Sequence, residues 1–438
     1  MKNIPIFTTV ESTIQAITAA SKKFAEQQIF AFKVLTSDEA VSVLKYELPE
    51  IKIIDFSDKN TDAQSYMHII EADPWLLFGG VIAIVSKNSE KAKLEESKNP
   101  NFLVVITRNE FEQHVDKIIK ILLHNEQFMY NRRSHVDTTE TRRGCFVCET
   151  DIFEVKFYAS LIGTYLYNAN FLSESAMDAF RTTISELLFN AVEHGNCGIS
   201  YEEKTAWLES GKNILDLIAE KRKNPEIAAK KIILSYEFSH DSTKISIEDK
   251  GEGFDWKKRL QADFQAGLHG MGIQMSKALV NEIRYNEKGN KVLFVIKNQK
   301  NIANFTPAIL QHQQSISYRH MQLVCREGEQ SENLFYICSG RFAVYVNNKL
   351  LRVLTPQDIF LGEMAFLLDN KRTATIVSIG PGRLIKVDKI KFIELIEHYP
   401  HYGIFIAKLL AERLKKQSKD SSALKTKLSK FVSAMKQV

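Results

Sequence analysis

Apolar positions in the first 125 residues come in short runs that alternate with stretches of helical spacing. The runs at 4–8, 30–35, 51–56, 81–85 and 102–107 are each followed by a segment read as helical, at 13–24, 38–48, 63–78, 89–96 and 110–124. Five strand–helix units in this rhythm predict a doubly wound parallel sheet, with a site at the carboxyl ends of its strands. Over 126–148 the chain turns polar and loses its period, which predicts a linker. The pattern then predicts an edge strand at 153–157 and helices at 161–166 and 175–194. A charged helical insertion at 201–223 and strands at 232–238, 245–248 and 291–296 follow. From residue 316 short strands with turns predict a small β-barrel or jelly roll, closed by amphipathic stretches at 392–399 and 405–414. In the basic tail, Leu424, Leu428, Phe431 and Met435 share one helical face that could pair with a second copy or fray.

Composition narrows the picture modestly. At 438 residues the chain has room for two to four domains, and 44% hydrophobic with 25% charged residues is ordinary for a soluble protein. The net charge of +5 gives no case for nucleic acid. The longest apolar run, 75–85, is too short to span a membrane, and the opening residues form no signal peptide, so a cytoplasmic location is expected. Five scattered cysteines form no disulfide framework, and Cys145 with Cys148 lacks a second pair at metal spacing.

The candidate chemistry centres on Ser185 through Asn196. Leu187, Leu188, Ala191 and Val192 recur at helical spacing and face inward, while Glu186 and Asn190, one turn apart, project together from the other side. A carboxylate beside an amide oxygen suits Mg²⁺ and a reacting oxygen. Downstream, a strand runs into Asp249, Gly251 and Gly253, where glycines admit close backbone approach and the carboxylate can accept from an exocyclic amine. Gly267, Gly270 and Gly272 then form a turn opening a helix, suited to phosphates. In this order the three stretches resemble the N, G1 and G2 boxes of GHKL ATPases, and Asn-Ala-Val-Glu-His-Gly is similar to the bacterial anti-sigma-factor serine kinases. Residues 275–285, expected as a helix, and the strand after them resemble that family's ending. The resemblance implies an α/β sandwich over 149–300 in which Asn190 holds Mg²⁺, Glu186 takes a proton from a partner hydroxyl, Asp249 reads adenine and the glycines contact ATP. Lys257, Lys258 and Arg259 would meet phosphate charge or stay on the surface.

The first 125 residues resemble a response-regulator receiver, a flavodoxin-like (βα)5 fold, with Asp55 at the phosphoacceptor position. Thr8 and Thr9 replace the acidic pair that would hold Mg²⁺, Ser86 follows the fourth strand, and Arg108 stands where a lysine is expected. Without two carboxylates the metal needed for phosphoryl transfer lacks a site, which makes this a pseudo-receiver for docking or dimerisation. His135, in the polar stretch, sits on no amphipathic helix, so no phosphoacceptor hairpin precedes the ATP domain.

In the barrel, Gly362 can open a short helix toward an anion, Glu363 can accept from a sugar hydroxyl and Arg372 can bridge a phosphate. These residues resemble the phosphate-binding cassette of cyclic-nucleotide-binding domains, over 301–416. Thr373 resembles members that accept cGMP, and Leu361 adds a residue before the glycine. Together the resemblances imply a three-module signal-transduction protein, a pseudo-receiver at 1–125, an ATP domain and a jelly roll with helices, ending in a basic tail at 417–438. The implied ligands are ATP, Mg²⁺ and cAMP or cGMP. The implied function is a cyclic-nucleotide-controlled serine/threonine kinase acting on an anti-anti-sigma (STAS-type) partner, as a homodimer without nucleic acid or membrane. The alternative is a non-catalytic scaffold that captures a regulatory protein according to nucleotide occupancy.

Overall fold

The computed structural model describes residues 2–24, 29–34, 36–77, 79–125, 128, 141–169, 171–239, 241–256, 279–298, 306–368, 371–407 and 410–411. Contacts divide the chain into two units: 1–41 with 49–305, and 42–48 with 306–438.

The first unit opens with alternating β1 (Lys2–Phe7), α1 (Glu11–Lys23), β2 (Ile29–Val34), α2 (Ser37–Ser42), β3 (Ile51–Asp55), α3 (Ala63–Ala72), β4 (Gly80–Val85), α4 (Asn88–Glu96), β5 (Phe102–Thr107) and α5 (Arg108–His124). The strands are parallel in the order β2-β1-β3-β4-β5. Central β3 and β4 are buried at every position, so β4 reads as an unbroken apolar run, and β3 as an apolar run broken only by Lys52 before it ends at Asp55, rather than as alternations. Two helices are shorter than expected. The helix after β2 passes into a wide turn at Val43–Glu47, and α3 stops at Ala72.

A second sheet in the same unit has the order β6-β7-β8-β10-β9, built from β6 (Arg142–Glu149), β7 (Lys231–Phe238), β8 (Ser242–Glu248), β9 (Glu282–Tyr285) and β10 (Lys291–Lys297). Its edge strand corrects the expected one. Residues 153–157 lie inside α6 (Ile152–Asn168), and β6 occupies the end of the expected linker. Asp151 decides the matter locally, because its carboxylate accepts from Glu154 N at 3.0 Å and starts a helix where alternation suggested a strand. That helix is buried on nearly all sides, so its apolar residues show no single stripe. The polar face of β6 hid it, since only Phe146 and Cys148 turn fully inward. Cys145 and Cys148 are three apart on a strand and therefore point to opposite faces, one exposed and one buried.

Helix α7 (Glu174–Asn190) carries the central motif and ends in a wide turn, Ala191–Asn196. The insertion that follows is three helices, α8 (Tyr201–Glu209), α9 (Ile214–Lys221) and α10 (Pro225–Ala229). Residues 282–285, expected within a helix, form β9 against β10. One apolar cluster runs through both sheets, from Ile4, Ile53 and Ile119 to Phe157, Leu187 and Phe294. The boundary near residue 125 is a boundary in sequence pattern and not in the core.

The second unit holds β11 (Ser315–Tyr318), β12 (Leu323–Cys325), β13 (Leu334–Ser339), β14 (Phe342–Val346), β15 (Lys349–Leu354), β16 (Phe360–Leu361), β17 (Thr375–Ser378) and β18 (Gly382–Val387). They form two four-stranded sheets that face one another, in the orders β11-β18-β13-β16 and β12-β17-β14-β15. Phe342, Ile337, Leu361 and Leu384 fill the space between them. A one-turn helix, Ala308–Gln311, precedes the sheets, and Lys389–His398 follows them. Leu361 is no loose insertion, for it belongs to the strand Phe360–Leu361 and pairs with Phe335. The tail lies outside the described residues. No described helix is long and apolar enough to cross a membrane.

Candidate functional site

At the carboxyl edge of the parallel sheet, Asp55 is fully buried and its carboxylate is saturated. Thr8 Oγ1 donates to Oδ2 at 3.0 Å, Ser57 N and Oγ donate to Oδ1 at 3.0 and 2.7 Å, and Arg108 Nη2 reaches Oδ2 at 3.0 Å. Arg108 also donates to Ser57 Oγ at 2.8 Å. Beside it Asp58 accepts from Thr9 Oγ1, Thr61 Oγ1 and Asn60 N. Burial raises the Asp58 carboxyl, but those bonds outweigh it and hold the group below its ordinary range. Ser86 instead donates to the Glu90 side chain at 2.8 Å, just before and within α4.

The second cluster forms where α7 ends. Ser173 caps the start of α7, and Leu187 and Leu188 bury the inner face, which leaves Glu186 and Asn190 part-exposed side by side. Asn190 Nδ2 makes a long bond of 3.5 Å to Glu186 Oε1, which leaves its amide oxygen as the atom a cation would take. The turn after α7 brings Gly195 against Asp249: a Cβ there would stand 2.4 Å from the carboxylate carbon. A Cβ on Gly251 would stand 2.4 Å from Gly195 O, and Gly253, at φ +82°, sits against Lys288 O. Each of these glycines is required by close backbone approach.

Asp249 Oδ1 accepts from Gly251 N at 2.7 Å, and the Asp249 backbone exchanges two bonds of 3.0 Å with Asn290. Oδ2 has no donor among the described residues, and burial pushes the carboxyl above its ordinary range. A part-buried carboxylate with one oxygen open, cradled by glycines, fits the amine edge of a nucleotide base.

Two contributors were not singled out in the sequence. Buried Asn196 donates to Thr150 Oγ1 and accepts from Lys250 N, both at 2.8 Å, and so ties the α7 turn to the Asp249 loop. Its place at the end of the motif was the available signal. Tyr285 lies near enough to Tyr201 and Glu186 to feel their charge; burial, then those neighbours, raises its phenol. With Phe254 and Trp256 it makes an aromatic wall. Gly267, Gly270, Gly272, Lys257, Lys258, Arg259 and His135 lie outside the described residues.

In the barrel, Gly362 takes a left-handed φ of +84° and begins the short helix Glu363–Leu367. A Cβ on it would come within 2.1 Å of Arg372 Nη1. Arg372 is 6% exposed and donates to Gly362 O at 3.1 Å and Asn333 O at 2.8 Å, with its guanidinium over the Phe335 ring. Burial lowers its pKa, and it has no ion pair among the described residues. A buried guanidinium beside a glycine turn, without an ion pair among the described residues, fits a phosphate. Glu363 is buried next to it, whereas Thr373 is exposed.

These two sites define the class of protein. Residues 160–296 match the histidine kinase-like ATPase domain family, and residues 315–399 match the cyclic nucleotide-binding domain family. The chain thus joins an ATPase-like domain to a cyclic-nucleotide-binding domain, whose respective ligands are ATP and a cyclic nucleotide. Among individual proteins it is similar to the cGMP-dependent protein kinase of Toxoplasma gondii, 38% identical over 84 residues, covering 19% of this chain and 8% of that one. It is also similar to the Pycsar effector protein XpPycTIR of Xanthomonas perforans, 30% identical over 107 residues, covering 24% of this chain and 35% of that one. The catabolite activator protein of Thermus thermophilus overlaps 26% of this chain and 56% of its own, at 23% identity and a TM-score of 0.25. The chain spans only a small part of these curated relatives.

Proposed function

We propose that this protein is a cyclic-nucleotide-responsive regulator that binds Mg-ATP and phosphorylates a serine or threonine of a STAS-type partner. The observation that carries the reading is the packing of Gly195 on Asp249, which joins the helix bearing Glu186 and Asn190 to the part-buried carboxylate and its glycines. In this reading Asp249 accepts from the adenine amine, Gly251 and Gly253 let backbone reach the nucleotide, and Asn190 offers its amide oxygen to Mg²⁺. Glu186 takes the proton of the partner hydroxyl. Mg-ATP supplies the transferred phosphoryl group. Gly267, Gly270 and Gly272 are assigned the phosphates from sequence. Gly362, Glu363 and Arg372 hold the cyclic nucleotide's sugar phosphate, with Thr373 at the base. Residues 1–125 are a flavodoxin-like pseudo-receiver, a reading supported by the four bonds that saturate Asp55, and the chain acts as a homodimer.

The test is calorimetric titration with Mg-ATP, alone and with saturating cAMP or cGMP, with Arg372→Ala as control. Linkage requires any shift in ATP affinity to be matched by an equal shift in cyclic-nucleotide affinity. Glu186→Gln is expected to abolish phosphoryl transfer to the partner while ATP still binds. Transfer at wild-type rate by that variant would remove Glu186 from the chemistry. Nucleotide-dependent capture of the partner without transfer in the wild type would replace the kinase with a scaffold.

A further inference from the structure

The amino-terminal edge of the first sheet grips the two helices of the ATPase-like domain. From α7, Arg181 Nη1 donates to Asn99 O at 3.0 Å, while Nη2 donates to Pro100 O at 3.1 Å, Phe102 O at 2.9 Å and Thr164 Oγ1 at 3.2 Å. Thr164 in turn donates to Pro100 O at 2.9 Å. Asn168, at the end of α6, donates to Leu77 O, and Lys98 pairs with Asp178 of α7 at 3.1 Å. Every partner of the Arg181 head is neutral, and the residue makes no ion pair among the described residues.

Such an arrangement is an expensive way to pack a helix. The guanidinium is desolvated, its Nε is buried without a partner, and burial lowers its pKa to about 10. An apolar side chain would bury α7 against the same loop without that cost. Three carbonyls within four residues of one loop, met by a planar fork, define a position where apolar contact would allow sliding. Helix α7 then runs unbroken from Arg181 to Glu186 and Asn190. Glu186 is five residues on, about 7.5 Å along the axis.

We propose that Arg181 is a positioning residue: by fixing α7 to the backbone at 99–102, it sets where Glu186 and Asn190 stand in the nucleotide site. This rests on the ATP-site reading above. Residues 1–125 are thereby a structural part of the ATP site, acting through their amino-terminal edge, whereas Asp55 and Arg108 occupy the opposite edge.

The experiment is titration of the full chain with Mg-ATP, and separately with cAMP and cGMP, for wild type, Arg181→Met, Arg181→Lys and Lys98→Ala, counting only the folded fraction from circular dichroism. Arg181→Met is expected to weaken Mg-ATP binding by about tenfold to a hundredfold, as befits a displacement near 1 Å at a positioned site. Arg181→Lys should recover part of that loss, and binding of whichever cyclic nucleotide the wild type takes should be unchanged. Wild-type ATP affinity in folded Arg181→Met overturns the inference while leaving the ATP site intact. A wild type that binds no ATP overturns the site reading and the inference with it. If Arg181→Met does not fold, Lys98→Ala decides: a severalfold weaker ATP affinity supports positioning, and an unchanged one refutes it.

Discussion

Single residues show how much each position is constrained. Gly362 holds a left-handed φ with Arg372 Nη1 where a Cβ would go, so Gly362→Ala must both strain the backbone and displace the guanidinium. It should cost about 1–3 kcal/mol in the barrel and abolish cyclic-nucleotide binding, read by thermal melting and titration. Lys52 is a second case. It is fully buried, donates to Leu76 O and Glu50 O, and burial, opposed by Glu50 and Asp73, lowers its pKa to about 7. Between about pH 7 and the unfolded value of 10.5 the unfolded chain holds a proton that the folded one has released, so stability should rise with pH across that window. Urea melts from pH 6 to 10 are expected to show a gain of a few kcal/mol, flattened by Lys52→Met. Of the candidate site residues, Glu186, Asn190, Asp249, Gly362 and Arg372 could be nominated from sequence because the chemistry that suggests them is local: a turn of helix, a strand end, a glycine turn. Asn196 and Tyr285 were not, since their roles depend on what folds against them. Nor could Asp55 be judged alone, because its state is decided by Thr8 and Arg108, both far away in sequence.

Among the elements, α6 shows why the rest of the fold was harder to read. Its residues are apolar on almost every side because it is sandwiched, so it lacks the one-sided stripe that marks a surface helix, and its first turn alternates like a strand. What sets the element is its cap. Asp151 accepts from Glu154 N, Lys117 Nζ at 2.9 Å and Arg222 Nη1 at 3.1 Å, tying α6 to α5 and to the end of α9. Burial raises its carboxyl, but the Lys117 bond and the charges of Lys117 and Arg222 prevail and leave it below its ordinary value. Its contribution is therefore complete above the unfolded pKa of 3.8 and lost as pH falls through the lower folded value. Asp151→Ala is expected to cost about 1–3 kcal/mol, from the lost cap and two cations left without their partner. Chemical denaturation at pH 7 checks this, and the gap to wild type should close in strong acid. The strands of both sheets were placed well where they are wholly buried or cleanly alternating. β6 was missed because half its residues face water at a sheet edge, where composition resembles a linker.

At the scale of the molecule, the chain carries two candidate nucleotide sites, one in each compact unit. Three sequence patterns were read as three modules, and the structure joins the first two through one apolar core and a set of backbone-directed hydrogen bonds. Turnover of sequence pattern is therefore a poor guide to mechanical independence, because it records periodicity and not who packs on whom. Expression of truncated chains should reflect this, with removal of 1–125 yielding an insoluble remainder. The continuous core also bears on how such a chain can be rearranged by recombination. A domain that keeps its own core can be exchanged at a single crossover. The first 125 residues admit no such exchange, since an incoming domain would have to supply carbonyls for Arg181 and an apolar floor for α6 at once. Related chains should accordingly inherit the first 300 residues as one block.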